Sequence, residues 1–235
     1  MSAITPPPSR SAVRPVDAAS LVVVDRSGPE PRLLMGTRHA GHRFMPGHLV
    51  FPGGRVDPSD RTMRAYGALP AHVERRLLER APGSTASRAR ALALCAIRET
   101  FEETGIMIGE AGLGAPQAPA PWSAFAERQV YPALEDLYFL ARAITPPRSP
   151  RRFDTRFFIV DARSVAACVA DVVGPEAELV DMAWLTFREA RERKIADITG
   201  LILDDVAARL EAGLERDVPV PFYFERGGRR HREAI

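Results

Sequence analysis

The chain is predicted to form a mixed α/β domain, a β-sheet sandwiched between α-helices in an α/β/α arrangement. Three observations carry this. β-branched and apolar runs recur as short strands, from "ASLVVVDR" at 19–26 to "FDTRFFIVDA" at 153–162. Helix-forming stretches with apolar positions at helical spacing lie between them, as in "ASRARALALCAIRE". The two kinds of segment do not alternate in a strict strand–helix–strand rhythm, so the sheet is expected to be mixed.

Taken in order, residues 1–17 open with "MSAITPPPSRSAVRP", which has neither an apolar core nor a cleavage-site pattern and reads as a disordered tail. "ASLVVVDR" and "PRLLMGTR", joined by "SGPE", make a hairpin. "HLVFPGGRV" (48–56) is a strand expected to break at its paired glycines. Residues 61–83 read as helical, with Val73, Leu77 and Leu78 on one apolar side. The alanine-rich helix follows, stopped by Gly105, then a short strand "IMIG". Residues 110–122 are proline-rich and patternless, and a short helix is expected at 123–131. Residues 135–145 and 153–162 are paired strands across "PPRSPRR", 178–187 is another strand, and 199–213 a last amphipathic helix. The folded domain is thus expected at 18–215, followed by a polar tail at 216–235.

With 235 residues, 46% hydrophobic, the chain has enough apolar material for one domain of good size. A net charge of +2 argues against bulk attraction to nucleic acid or an anionic membrane. The basic residues are nearly all arginine, Lys194 being the only lysine. Cys95 and Cys168 have no partner spacing, so a reducing, cytoplasmic setting fits and a disulfide framework does not. No apolar run reaches the length of a membrane span.

The chemistry concentrates in "AIRETFEETGI" at 96–106. Glu99, Glu102 and Glu103 fall within about a third of the helix circumference, in its last turns. A helix C-terminus carries partial negative charge, so carboxylates there cost roughly 0.3–1 kcal/mol each. A hard divalent cation reverses that cost, because Mg²⁺ takes oxygen ligands and its charge outweighs the pole. Arg98 is placed to hold a carboxylate such as Glu102, four residues on. A solvated acidic patch is the alternative from charge alone.

"RETFEETGI" resembles the second half of the Nudix box, R-E-U-x-E-E-x-G-U, from Arg98 to Ile106. Upstream, "FPGGRVDPSD" resembles the opening of the box, with Gly54 as its glycine and Asp60 where the family has glutamate. Residues 61–97 lie between Asp60 and Arg98, where the usual box has seven residues; the resemblance therefore implies an extra helical insertion at about 61–90, at little entropic cost. An interrupted box, and a stretch like "ITPPRSPRRFDTRFFIV", resemble the branch of peroxisomal acyl-coenzyme A diphosphatases of animals. The resemblance spans about 18–190. It implies the Nudix fold, hydrolysis of a nucleoside diphosphate linked to another group, and Mg²⁺ or Mn²⁺ held by Glu99, Glu102 and Glu103. It also implies Arg98 as the residue orienting those carboxylates, Glu102 in catalysis, and Glu178, six residues before Trp184, as general base or further ligand.

"LMGTRHAGHRFMPGHLVFPGG" resembles the motif of coenzyme A-cleaving members, keeping Arg38, Arg43, Gly47 and Phe51 to Gly54 at matching spacing and departing at Met35, Gly36 and His39. Coenzyme A carries a 3′-phosphate besides its diphosphate, and two arginines can hold phosphate by bidentate, charge-assisted contacts. Arg38, Arg43, Gly53, Gly54 and Arg55 are therefore the expected substrate-binding residues. Other nucleoside diphosphates (ADP-ribose, NADH, dinucleotides, nucleotide sugars) and a Nudix-fold module that only binds remain open, as does a homodimer. His39, His42 and His48 lack zinc-site spacing, and Trp184 and Phe187 read as core.

Overall fold

The computed structural model describes residues 13–41, 45–170, 172 and 177–235. The elements, in chain order, begin with strands β1 (Val16–Asp25), β2 (Arg32–Arg38), β3 (Leu49–Val50) and β4 (Gly53–Arg55), then a 3-10 turn Pro58–Arg61. Helix α1 (Ala71–Leu78) and helix α2 (Ala86–Thr104) precede β5 (Ile106–Ala111), α3 (Ser123–Glu127) and β6 (Val130–Pro132). Strands β7 (Tyr138–Ile144), β8 (Phe153–Asp161), β9 (Val165–Cys168) and β10 (Leu179–Thr186) lead to α4 (Phe187–Glu192) and α5 (Asp197–Ala212). A hairpin of β11 (Pro221–Arg226) and β12 (Arg229–Ala234) ends the chain.

The main sheet runs β10-β2-β1-β8-β7-β11-β12, with β3 beside β2 and β4 beside the first half of β1. It is mixed: β1 pairs with β8, and β7 with β11, in parallel, and the other neighbours are antiparallel. A smaller sheet, β6-β5-β9, stands apart. Residues 21–24 of β1 are an unbroken apolar run because both faces of the strand are covered there. Leu21 and Val23 join the core with Leu92 of α2, Val73 and Leu77 of α1 and Phe125 of α3. Val22 and Val24 join Ile202, Leu203 and Val206 of α5 on the opposite face. That is the expected α/β/α sandwich. Among the described residues, no helix is long and apolar enough to cross a membrane.

Helix α2 is buried nearly all round, from Ala89 to Arg98, since the sheet covers one side and the segment 58–78 the other. Thr85 caps its first turn by accepting from the Arg88 N–H, and Gly105 ends it in the left-handed region at φ 75°. A Cβ on Gly105 would also lie 2.2 Å from the Val169 carbonyl oxygen. The last turn of α2 holds no basic residue.

Four expectations are corrected. The helix expected over 61–83 is confined to Ala71–Leu78, flanked by irregular backbone, and Leu78 is only partly buried beside buried Val73 and Leu77. The helix expected at 123–131 stops at Glu127, where Gln129 takes a positive φ of 55°. Gly53 and Gly54 do not break a strand; the break falls at Phe51–Pro52, and both glycines pair with Ser20 and Ala19 of β1. The expected tail at 216–235 holds the β11–β12 hairpin, joined to β7 through Phe222 and Tyr223. Its charge misled because β12 is an edge strand, where charged side chains face solvent. The tail expected at 1–17 lies outside the described residues up to 12, and Val16 and Asp17 already belong to β1.

Candidate active site

Arg98 organises the site from the last third of α2. It is 5% exposed, and its guanidinium forks onto Asp60, Nε donating to Oδ1 at 2.8 Å and Nη2 to Oδ2 at 3.1 Å. Nη1 donates to Glu99 Oε1 and to Glu102 Oε2, both at 2.9 Å, and Nη2 donates to the Arg55 carbonyl at 2.9 Å. One planar side chain thus ties three acids and the glycine strand together, a geometry lysine could not supply. Burial alone would lower the pKa of Arg98, but Asp60 and Glu99 outweigh it and hold the guanidinium charged.

Asp60 has 0% exposure and sits on the 3-10 turn, where it also accepts the Asp57 N–H at 2.8 Å in a capping box. The two halves of the acidic motif, 38 positions apart in sequence, are therefore one constellation in space. The segment between them loops outward as α1 and returns.

Glu103 is 6% exposed and accepts the Gly53 N–H at 2.8 Å through Oε2. Burial pushes its carboxyl up to about 8 against the pull of that hydrogen bond, with Glu178 and Glu99 pushing the same way. Burial likewise raises Glu99 to about 7, opposed by Arg98 and reinforced by Glu102 and Glu178. Glu102 is raised by burial too, against Arg98. The glycines make this proximity sterically feasible: a Cβ on Gly54 would lie 2.4 Å from Glu99 Cδ, and one on Gly53 2.5 Å from the Ala19 carbonyl oxygen.

Glu178 reaches the same place from the start of β10. Its carboxylate pairs with the Arg38 guanidinium at the end of β2, and its side chain remains 43% exposed. Its carbonyl accepts the His39 N–H at 3.0 Å. Arg38, Gly53, Gly54, Arg98, Glu99 and Glu178 line one end of a cleft of about 1220 Å³, and Arg55 lies along it. Arg43 and His42 lie outside the described residues. His39 and His48 spend Nδ1 within their own turn, on the Gly41 N–H and the Pro46 carbonyl, both at 3.1 Å. Trp184 and Phe187 are partly buried against the two cores.

The donor set fits a hard divalent cation. It is all oxygen, it lies at a helix C-terminus, and burial raises three of its carboxyls even against the pull of Arg98 on Glu99 and Glu102. Among the described residues, no group of three or more His, Cys, Asp or Glu side chains is arranged to hold a metal ion by itself. Mg²⁺ sites built for phosphate substrates use few protein carboxylates and leave the remaining positions to water and substrate oxygens.

"RFDTRFF" has a structural consequence that its composition alone did not reveal. Asp154 is clasped by Arg142 at 2.8 Å through both nitrogens and by Arg156 at 3.0 Å, while Asp17 takes Arg88 and Arg156. This ladder joins β1, β8, β7 and α2 on the face of the sheet opposite the cleft, since Asp154 and Arg156 alternate along β8 with cleft-lining Phe153, Thr155 and Phe157. The arginine excess is in part a buried network.

No family model matches the chain. It is similar to the human acyl-coenzyme A diphosphatase NUDT19, 27% identical over 209 residues, covering 68% of this chain and 55% of that protein. The chicken acyl-coenzyme A diphosphatase NUDT19 is 31% identical over 147 residues, covering 51% of this chain and 39% of that protein. The chain thus spans about half or less of the length of these curated relatives. Among solved structures, the crystal structure of a Nudix hydrolase from Alicyclobacillus acidocaldarius superposes with a TM-score of 0.64 at 28% identity, covering 84% of this chain and 93% of that one.

Proposed function

We propose that this chain, which has the fold of the Nudix hydrolases and resembles the branch with a divided box, is a metal-dependent diphosphohydrolase of coenzyme A or acyl-coenzyme A. The products would be 3′,5′-ADP and 4′-phosphopantetheine or its acyl form. One observation carries the reading: Arg98 draws Asp60, Glu99 and Glu102 together at the mouth of a cleft, rejoining a motif divided in sequence. The names of the curated relatives support the choice of substrate.

Glu99, Glu102 and Glu103 would hold Mg²⁺ or Mn²⁺. When bound, the metal neutralises charge on the diphosphate oxygens and makes water more acidic. Arg98 fixes the carboxylates of Glu99 and Glu102 from a single nitrogen, so their orientation is set before substrate arrives. The backbone of Gly53 holds Glu103 from the opposite side. Glu178 is the base that would take a proton from the attacking water, or a further metal ligand, and Arg38 holds it meanwhile. A phosphate arriving at Arg38 would compete with Glu178 for the guanidinium. Arg38 and Arg43 are the proposed readers of the 3′-phosphate.

The deciding experiment is turnover by the purified chain with Mg²⁺ or Mn²⁺ on coenzyme A, an acyl-coenzyme A, ADP-ribose and NADH. The expected result is the largest kcat/KM on the first two. Faster cleavage of ADP-ribose or NADH would overturn the substrate, and no cleavage of any would overturn the activity.

A further inference from the structure

The cleft does not end at the acids. It continues across the sheet on the face that α5 covers only in part, and its floor follows a single rung of the strand ladder. Arg55 on β4 pairs with Ala18 on β1, Ala18 with Thr155 on β8, Thr155 with Ala143 on β7, and Ala143 with Tyr223 on β11. All five residues line the cleft. Between the arginine and the tyrosine the side chains are small.

Two positions away on β8, Phe157 and Phe153 point to the same face, one on either side of Thr155, and both line the cleft. The floor is therefore a trough between aromatic ridges, crossing the strands at right angles. Its far end is set by Tyr223, whose hydroxyl is held by buried Asp205 at 2.8 Å. At about 4.8 Å per strand, three steps from β1 to β11 span roughly 14 Å, and the step to β4 brings this to about 19 Å. A fully extended chain covers about 3.3–3.6 Å for each three backbone bonds, so the trough matches an arm of roughly 12–16 bonds. A compact sugar would fill only a fraction of it.

We propose that this trough holds an extended, uncharged, largely apolar arm attached to the diphosphate, and that Ala143 and Thr155 set how bulky the arm can be. The arm leaves the acidic end near Arg55 and lies over Thr155 and Ala143 towards Tyr223. Between Arg55 and Tyr223 the floor offers one hydroxyl, that of Thr155, between the rings of Phe153 and Phe157, so this stretch holds the arm by packing. The charged lining residues Arg151, Arg152, Asp197, Glu225 and Arg230 lie off that rung. The assignment rests on the reading of the chain as a hydrolase of coenzyme A-type diphosphates.

The test fills the trough without touching the acids. Ala143→Leu and, independently, Thr155→Leu are compared with the unmodified chain by calorimetric binding of coenzyme A and of 3′,5′-ADP without metal, each variant first checked for an unchanged melting curve. Ala143→Val serves if leucine disturbs the fold. Binding of coenzyme A is expected to weaken about 10-fold or more, within the range a methylene-scale mismatch imposes on an apolar pocket. Binding of 3′,5′-ADP, which lacks the arm, is expected to stay within about threefold, inside the same scale of effect. Equal weakening of both ligands, no weakening of either, or no coenzyme A binding by the unmodified chain would overturn the trough assignment. Turnover with Mg²⁺ is measured in parallel: arm-selective binding without cleavage would leave the trough standing and remove the hydrolase reading.

Discussion

Glu103 shows how a single carboxylate can serve the site at the expense of the fold. Burial raises it to about 8 and Glu99 to about 7, both above the ordinary 4.5 that the unfolded chain would show. The native state therefore keeps these protons longer than the unfolded state as the pH rises. Their contribution to stability is fully present below about pH 4.5 and is lost as the pH climbs through about 7 and 8. Metal-free protein is accordingly expected to melt at a lower temperature at pH 8.5 than at pH 6, and Mg²⁺ should recover more of the melting temperature at the higher pH. A flat profile would contradict the buried-acid account. Glu103→Gln should flatten the metal-free profile and cut kcat by about two orders of magnitude, a loss of the size seen when a charge-stabilising group is removed. Arg98 is the converse case. Replacing it by methionine leaves Asp60 buried and unpaired, so a loss of about 3–5 kcal/mol in urea unfolding is expected.

At the scale of elements, the inserted segment and the C-terminal hairpin are structural partners of the site. The segment carrying the 3-10 turn and α1 covers the outer side of α2 and delivers Asp60 to Arg98. Leu77→Ala should cost about 2–5 kcal/mol, as for other buried leucines, and should lower activity only by lowering the folded fraction. The β11–β12 hairpin is closed at its base by Ile235 and Val220, which exchange backbone bonds at 2.9 and 3.0 Å, and is fastened to the domain at two points. Tyr223 reaches Asp205 of α5, and Arg142 of β7 lies 4.4 Å over the Phe222 ring. Removing residues 218–235 would strip a polar tail harmlessly if that were all they formed. The structure leads to the opposite expectation, a drop in melting temperature of several degrees, since even about 1 kcal/mol shifts a domain of this size by roughly 2–4 °C.

For the whole molecule, the sheet separates two tasks: α2 and the insertion hold the acids, while the partly bare face beside α5 provides the cleft. A 3′-phosphate read by Arg38 and Arg43 should make coenzyme A a better substrate than its dephospho form by about 10- to 100-fold in kcat/KM, since a charge-assisted contact contributes roughly 1.5–3 kcal/mol. Equal rates would remove those arginines as readers of that group. The amino-acid sequence alone was enough for the α/β/α class, the central strands and the glutamate-bearing helix, because β-branched runs, helical periodicity and a glycine stop are local signals. The box residues were also legible, since Arg98, Glu99, Glu102 and Glu103 lie within two turns of one helix. Tertiary structure decided what depends on distant pairings. It brought Asp60 to Arg98 across the insertion, set Arg38 against Glu178, placed Arg142, Asp154 and Arg156 in a buried ladder, and turned an arginine-rich C-terminus into an edge hairpin. Polar residues carry no mark in sequence of whether water or a partner will meet them. That is settled only when strands far apart in the chain are laid side by side.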